Sequence, residues 1–242
     1  MDQSPRNQNR REPYLGEPYR GEPGDRVRQD GGWLWRDRRH AGALLAEQLA
    51  PEVHHHQDTT VVGIPPGGLE VAAALASVLQ LPLTCWSVQR VRLPGRPGPT
   101  LGAIAPGHVH NLDEELLQQL GFDAEARHRL LHDHEHRLQL DQDRFGDPDP
   151  HELSHRRLIL VDEGVRTGRV MEAALQSLRS LYPTTITVAV PVGTRSALAQ
   201  LEAQADRLLV LQPVEQLQQI ADWFADLPSL QEGDVIALLR AA

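Results

Sequence analysis

The sequence predicts an α/β protein: a parallel sheet of about five strands flanked by helices, with a small helical or hood-like addition. Three observations carry this. Short apolar runs occur at Thr59–Ile64, Leu83–Val88, Leu158–Val161, Thr185–Val190 and Arg207–Leu211, as strands buried on both faces require. Most are followed by helical periodicity, and strands alternating with helices build parallel sheets. Two strand-to-helix joints are glycine turns, Pro65-Pro66-Gly67-Gly68 and Gly164–Gly168.

Residues 1–30 are rich in Pro, Gly, Arg and Glu, with near-repeats at Glu12-Pro-Tyr, Glu17-Pro-Tyr and Glu22-Pro-Gly. With no apolar periodicity they cannot offset their ordering entropy, so a disordered tail is expected. Tyr14 and Tyr19 are its candidate partner contacts. Residues 31–242 form the expected domain. A first helix spans Trp33–Leu49, with Trp35, Ala41, Leu44, Leu45 and Leu49 on one face and Asp37, Arg38 and Arg39 off it. After Thr59–Ile64 and its turn comes a helix over Leu69–Leu79. The stretch from Gln89 to Pro99 is too rich in Pro and Gly for regular structure. It carries Arg90, Arg92 and Arg96, a cationic loop able to close over an anion. Asp113–Leu120 and Asp123–Leu140 read as two helices that break the alternation, an insertion at about 112–145. After Leu158–Val161, Met171, Ala174, Leu175, Leu178 and Leu181 make one helical stripe. Ser196–Ala205, Glu215–Phe224 and Glu232–Leu239 read as helices.

The chain has 242 residues, enough for one substantial core. A net charge of −9 argues against bulk binding of nucleic acid or anionic membrane. The single cysteine, Cys85, rules out an internal disulfide framework and suits a reducing compartment. No apolar run approaches the roughly 18 residues of a membrane span, and no secretory signal is visible; a cytoplasmic protein is expected. The sequence contains no lysine, so all 24 Lys-or-Arg positions are arginine. A lysine Schiff base or an ε-ammonium point charge is therefore ruled out, and the cationic work falls to planar guanidinium groups that suit phosphate oxygens.

The most informative stretch is Arg157-Leu-Ile-Leu-Val-Asp-Glu-Gly-Val-Arg-Thr-Gly-Arg-Val-Met171. Asp162 and Glu163 stand at the carboxyl end of a strand, where open parallel sheets bind ligands. The glycine-bearing turn and the helix behind it offer backbone amides and a positive helix end to a phosphate. Two carboxylates would repel that phosphate but can accept hydrogen bonds from vicinal hydroxyls nearby. A sugar phosphate satisfies both halves. No Walker A loop or dinucleotide glycine motif is present here.

Val161-Asp-Glu-Gly-Val-Arg-Thr-Gly168 resembles the ribose-5-phosphate motif of type I phosphoribosyltransferases. Val62-Gly-Ile-Pro-Pro-Gly-Gly-Leu-Glu-Val-Ala72 is similar to the pyrophosphate loop of the same family. Leu101-Gly-Ala-Ile-Ala105, Asn111-Leu-Asp113, Val188-Ala-Val-Pro-Val-Gly193 and Ala221-Asp-Trp-Phe-Ala-Asp-Leu227 resemble its later segments, in the family's order. The resemblance implies phosphoribosyl pyrophosphate with Mg²⁺ as ligand, and displacement of pyrophosphate by a nitrogen nucleophile, often of a nucleobase. It implies that Asp162 and Glu163 hold the ribose hydroxyls, and that Gly164, Val165, Arg166, Thr167 and Gly168 hold the 5-phosphate. Pro66, Gly67 and Gly68 would meet the pyrophosphate, with charge from Arg90 and Arg92. The metal would be held mainly by substrate and water. A homodimer is a further implication. Departures from the family are Arg166 and Arg169 in place of small residues, Val170 for Thr, Pro66 for Arg and Arg90 for Lys. They open a second expectation, a catalytically weakened relative that binds a phosphoribosyl compound or nucleotide as a sensor. A rival site is histidine-based: His128, His132 and His136 share a helix face and His54–His56 precede a strand, spacing that suits either a solvated face or a Zn²⁺ or Ni²⁺ site.

Overall fold

The computed structural model describes residues 34–53, 56–93 and 100–241. The expected tail with Tyr14 and Tyr19, Trp33, His54, His55 and Arg96 lie outside the described residues.

The chain begins with helix α1 (Arg38–Leu49), strand β1 (Thr59–Gly63), helix α2 (Gly67–Leu79) and strand β2 (Leu83–Cys85). A hood follows: strands β3 (Gln89–Arg92), β4 (Thr100–Ala105) and β5 (Val109–Leu112), then helices α3 (Glu114–Gln119) and α4 (Ala124–Phe145). After the short helix α5 (Pro150–Leu153) the main alternation resumes with β6 (Arg157–Val161), α6 (Arg169–Arg179), β7 (Thr185–Thr194), α7 (Arg195–Glu202) and β8 (Arg207–Val214), closing on α8 (Glu232–Arg240).

The five strands of the main sheet lie in the order β2-β1-β6-β7-β8, and every neighbouring pair is parallel. Successive side chains on a strand point to opposite faces, and that alternation divides the core in two. Val61, Ile159, Val161 and Ala189 pack under α1 and α2 with Leu45, Leu49 and Leu75. Val62, Leu158, Leu160, Val188 and Val190 pack under α6 and α7 with Met171, Leu175, Leu178 and Leu198. The α6 stripe is the one the sequence predicts, with Leu181 partly buried beside it.

The hood differs from its expected form. Gln89–Arg92 is a strand, not irregular chain, paired antiparallel with β4, which pairs antiparallel with β5. The addition is therefore a three-stranded sheet backed by α3 and α4, with its own small core of Val91, Leu101, Ile104, Leu112, Leu117, Leu130 and Leu138. His134 is buried in it, whereas His128, His132 and His136 are exposed on α4. Among the described residues no three His, Cys, Asp or Glu groups cluster as a metal site.

At the edge of the main sheet Cys85 is buried, and its thiol donates to Asp147 Oδ1 at 3.3 Å. The Asp147 carboxylate also accepts from the Ser87 amide and hydroxyl, each at 2.7 Å. This knot fastens the end of α4 to β2. Burial pushes the thiol pKa well up, and the adjacent Asp147 charge adds to the effect.

The expected helix over Glu215–Phe224 does not form. The segment holds only a 3₁₀ turn at Ile220–Trp223. Its backbone instead pairs with the chain before α1: Leu34 and Trp35 amides donate to the Trp223 carbonyl, and Ala225 and Asp226 amides donate to Trp35 and Arg36 carbonyls. Phe224 packs on Trp35 with ring centroids 5.2 Å apart. Long-range packing overrides local helix propensity here. Among the described residues no helix is long and apolar enough to cross a membrane.

Candidate functional site

Strands β1 and β6 are neighbours, with Gly63 opposite Val161. From β1 the chain passes through α2 to β2 on one side, and from β6 it passes through α6 to β7 on the other. Where two connections part in this way, a crevice opens beyond the carboxyl ends of the strands. The turn at residues 64–68 and the acids at 162–163 therefore meet.

They meet closely. A Cβ added to Gly67 would lie 1.9 Å from Glu163 Oε2, and one added to Gly68 would lie 2.7 Å from both Cα and Oδ1 of Asp162. Only residues without side chains let the first turn abut the acids. Asp162 is only 4% exposed, although it stands at a strand end. Burial pushes its pKa up from 3.8 to about 7, and nearby Glu163 raises it too. Arg90 is the main opposing influence, helped by the Glu163 amide, which donates to Oδ1 at 2.8 Å, and by Arg38. Glu163 is paired with Arg38, whose Nε donates to Oε2 at 2.7 Å.

The turn after the acids is braced from beneath. The Val165 amide donates to the Val192 carbonyl at 2.8 Å, and the Thr194 amide and hydroxyl donate to the carbonyls of Val165 and Arg166. Gly168 adopts φ +82° as it enters α6, a conformation that suits glycine. Among the described residues, the amides of Thr167 and Gly168 and the Thr167 hydroxyl have no hydrogen-bond partner.

Acids and turn line one cleft of about 290 Å³. Of the residues singled out from sequence, the cleft brings together Asp162, Glu163, Gly164, Val165, Arg166, Thr167 and Gly168 with Arg90 and Arg92 of β3. Pro66 lines a neighbouring cavity of about 380 Å³, which shares Arg90 and Arg92 with the first, while Gly67 and Gly68 are buried against the acids. Side-chain alternation accounts for the arginine pair: residues two apart on β3 share a face, with Val91 between them buried.

Neither arginine of the turn plugs it. Arg166 is exposed, and its guanidinium reaches the Gln218 carbonyl at 3.3 Å. Arg169 turns to the hood, donating to Asp113 Oδ2 at 2.7 Å and to the Leu112 carbonyl at 3.2 Å. Asn111 completes this latch by donating to Glu172 at 2.6 Å.

Two groups at the site were not visible in the sequence. Arg38 sits off the apolar stripe of α1 and reads as solvated, yet it is 6% exposed. Gln218, Gln219 and Ile220 line the cleft from the segment read as a helix. The Asp37 cap, which fixes where α1 begins and hence where Arg38 points, was the signal available for the first.

A family model described as a phosphoribosyl transferase domain matches residues 37–232. The crystal structure of TT1426 from Thermus thermophilus is similar at a TM-score of 0.65 and 33% sequence identity, covering 85% of this chain and 97% of that one. Two proteins of Mycobacterium tuberculosis, strains CDC 1551 / Oshkosh and H37Rv, are provisionally named phosphoribosyl transferases. Each is 29% identical over 210 residues, 86% of this chain and 47% of theirs. The chain thus spans about half the length of the curated relatives it matches. Its motifs, its parallel sheet and this match agree: the chain belongs to the phosphoribosyl transferase domain family.

Proposed function

We propose that the protein is a phosphoribosyltransferase that takes phosphoribosyl pyrophosphate with Mg²⁺ and transfers ribose 5-phosphate to a nitrogen nucleophile of a planar, nucleobase-like acceptor. The observation that carries this reading is the placement of Asp162, Glu163, the turn at 164–168 and Arg90 on one cleft. The carboxylates accept hydrogen bonds from the two ribose hydroxyls. The amides of Thr167 and Gly168, the Thr167 hydroxyl and the positive end of α6 receive the 5-phosphate. The bond from the sugar C1 to pyrophosphate oxygen breaks, a bond from C1 to the acceptor nitrogen forms, and the acceptor gives up its N–H proton. Arg90 and Arg92 face the side from which pyrophosphate leaves, where fixed positive charge stabilises the departing anion. Gln218, Gln219 and Ile220 offer polar and apolar surface to the acceptor.

Mg²⁺ would be held mainly by substrate oxygens and water, with Asp162 and Glu163 beside it through the sugar hydroxyls they hold. When bound, the ion would neutralise charge on the pyrophosphate. A cytoplasmic location, for which the buried, unpaired Cys85 is the support, and pairing of two copies complete the proposal.

Particular residues favour a second reading, a weakened relative that binds a phosphoribosyl compound or nucleotide as a sensor. Val170 lines the cleft without a hydroxyl, Pro66 has no amide N–H to give, and Arg169 is committed to the hood. Titration calorimetry with phosphoribosyl pyrophosphate and Mg²⁺, followed by a pyrophosphate-release assay over a panel of bases, separates the two. Binding with release supports the transferase. Binding without release against every base supports the sensor, and no binding rejects both.

A further inference from the structure

We propose that Arg38 is a positioning residue for Glu163, fixing which carboxylate oxygen is presented to the sugar; the inference rests on the reading of Glu163 as a diol ligand. Arg38 is the first residue of α1, directly after its cap Asp37, and it runs beneath the cleft rather than into solvent. Two hydrogen-bond acceptors and one more distant carboxylate, from separate parts of the chain, surround it. Its Nε donates to Glu163 Oε2 at 2.7 Å, and its Nη1 donates to the Pro228 carbonyl at 2.8 Å. The same Nη1 lies 3.6 Å from Glu70 Oε2.

The opposite side of the Glu163 carboxylate is closed by Gly67, where an added Cβ would fall 1.9 Å from Oε2 and 2.7 Å from Oε1. The carboxylate is therefore gripped between a guanidinium and a backbone turn. Arg38 occupies Oε2, while Oε1 has no hydrogen-bond partner among the described residues and Glu163 lines the cleft. A carboxylate has about four acceptor positions, so one oxygen can stay on Arg38 while the other accepts from a hydroxyl. Without Arg38 the Glu163 side chain would regain rotamer freedom that ligand binding must then remove. A planar fork holds both Glu163 and Pro228 in a way an ammonium cannot match.

The test is a double-mutant cycle read by calorimetric binding of phosphoribosyl pyrophosphate with Mg²⁺ to the full chain. Arg38→Gln and Glu163→Gln are each expected to weaken binding about 10- to 100-fold, the scale of a lost hydrogen bond to a charged group. The double variant should bind no more weakly than Glu163→Gln alone, and Arg38→Lys should recover part of the loss. Multiplying losses in the double variant would overturn the proposal, because Arg38 would then act independently of Glu163. Wild-type affinity in Arg38→Gln, beside a weakened Glu163→Gln, would remove Arg38 and leave the cleft reading standing. Unchanged affinity in Glu163→Gln would reject the diol role itself and Arg38's with it. Should Arg38→Gln not fold, Arg38→Lys carries the cycle: it must weaken binding when Glu163 is present and not when it is Gln, and equal affinity in both comparisons overturns the proposal.

Discussion

Asp162 combines a candidate functional position with a structural cost. Its carboxyl titrates at about 7 in the fold against an ordinary 3.8, with burial as the first cause. The native state thus keeps a proton that the unfolded chain has already released over that interval. Stability from this group is complete below about pH 3.8 and is lost as the pH rises through 7. The ceiling on that loss is on the order of 4 kcal/mol. Asp162→Asn should therefore melt higher than the wild type at pH 8, with the gap closing towards pH 4, while phosphoribosyl pyrophosphate binding is lost. Melting curves at the two pH values check the first half and calorimetry the second. Gly67 makes the complementary case. In Gly67→Ala the end of Glu163 must move aside and leave the buried Arg38 without its 2.7 Å partner, so the melting temperature should fall. The displaced carboxylate leaves its seat against Arg38, and binding should fall at least about 10-fold, the scale of one charged hydrogen bond. The residue types and spacing at 162–168 were legible in the sequence because they are local. The burial of Asp162 was not, since it arises from Gly68, a neighbour only after β1 and β6 pair.

Helix α6 joins the cleft to the hood through its first residue. Arg169 holds Asp113, the cap of α3, and the last carbonyl of β5. Both partners of the ion pair are more than a quarter exposed, so solvent screening discounts the pair to about 1 kcal/mol. Arg169→Ala should leave the main sheet intact and speed hydrogen exchange in β5 and α3, read by mass spectrometry on the two proteins side by side. The five strands and α6 were legible because each pattern repeats within one element. The strand at Gln89–Arg92 was not: four polar and apolar residues beside a Pro- and Gly-rich stretch acquire their form from β4. The same holds for residues 215–224, whose helical composition yields to pairing with residues 34–36. Arg38 and Gln218 escaped sequence reading for that reason, since Arg38 meets Glu163, and Gln218 the cleft, only through contacts far along the chain.

Across the whole molecule, two apolar layers enclose the main sheet and a third, smaller core supports the hood. The cleft lies where the hood meets the main domain, and that seam is held by an apolar contact of Ala103 and Ala105 of β4 with Ala173 of α6 together with several polar ties. One of those ties holds the chain's single thiol, Cys85, behind Asp147 and the end of α4. Buried and kept protonated, that sulfur cannot meet an alkylating reagent while the tie is closed. A maleimide dye would mark only molecules caught with the seam ajar, and so would act as a stopwatch for that opening. If the seam tightens around ligand, dye uptake should slow as phosphoribosyl pyrophosphate is added, turning an unmodified side chain into a reporter of clamping in native protein.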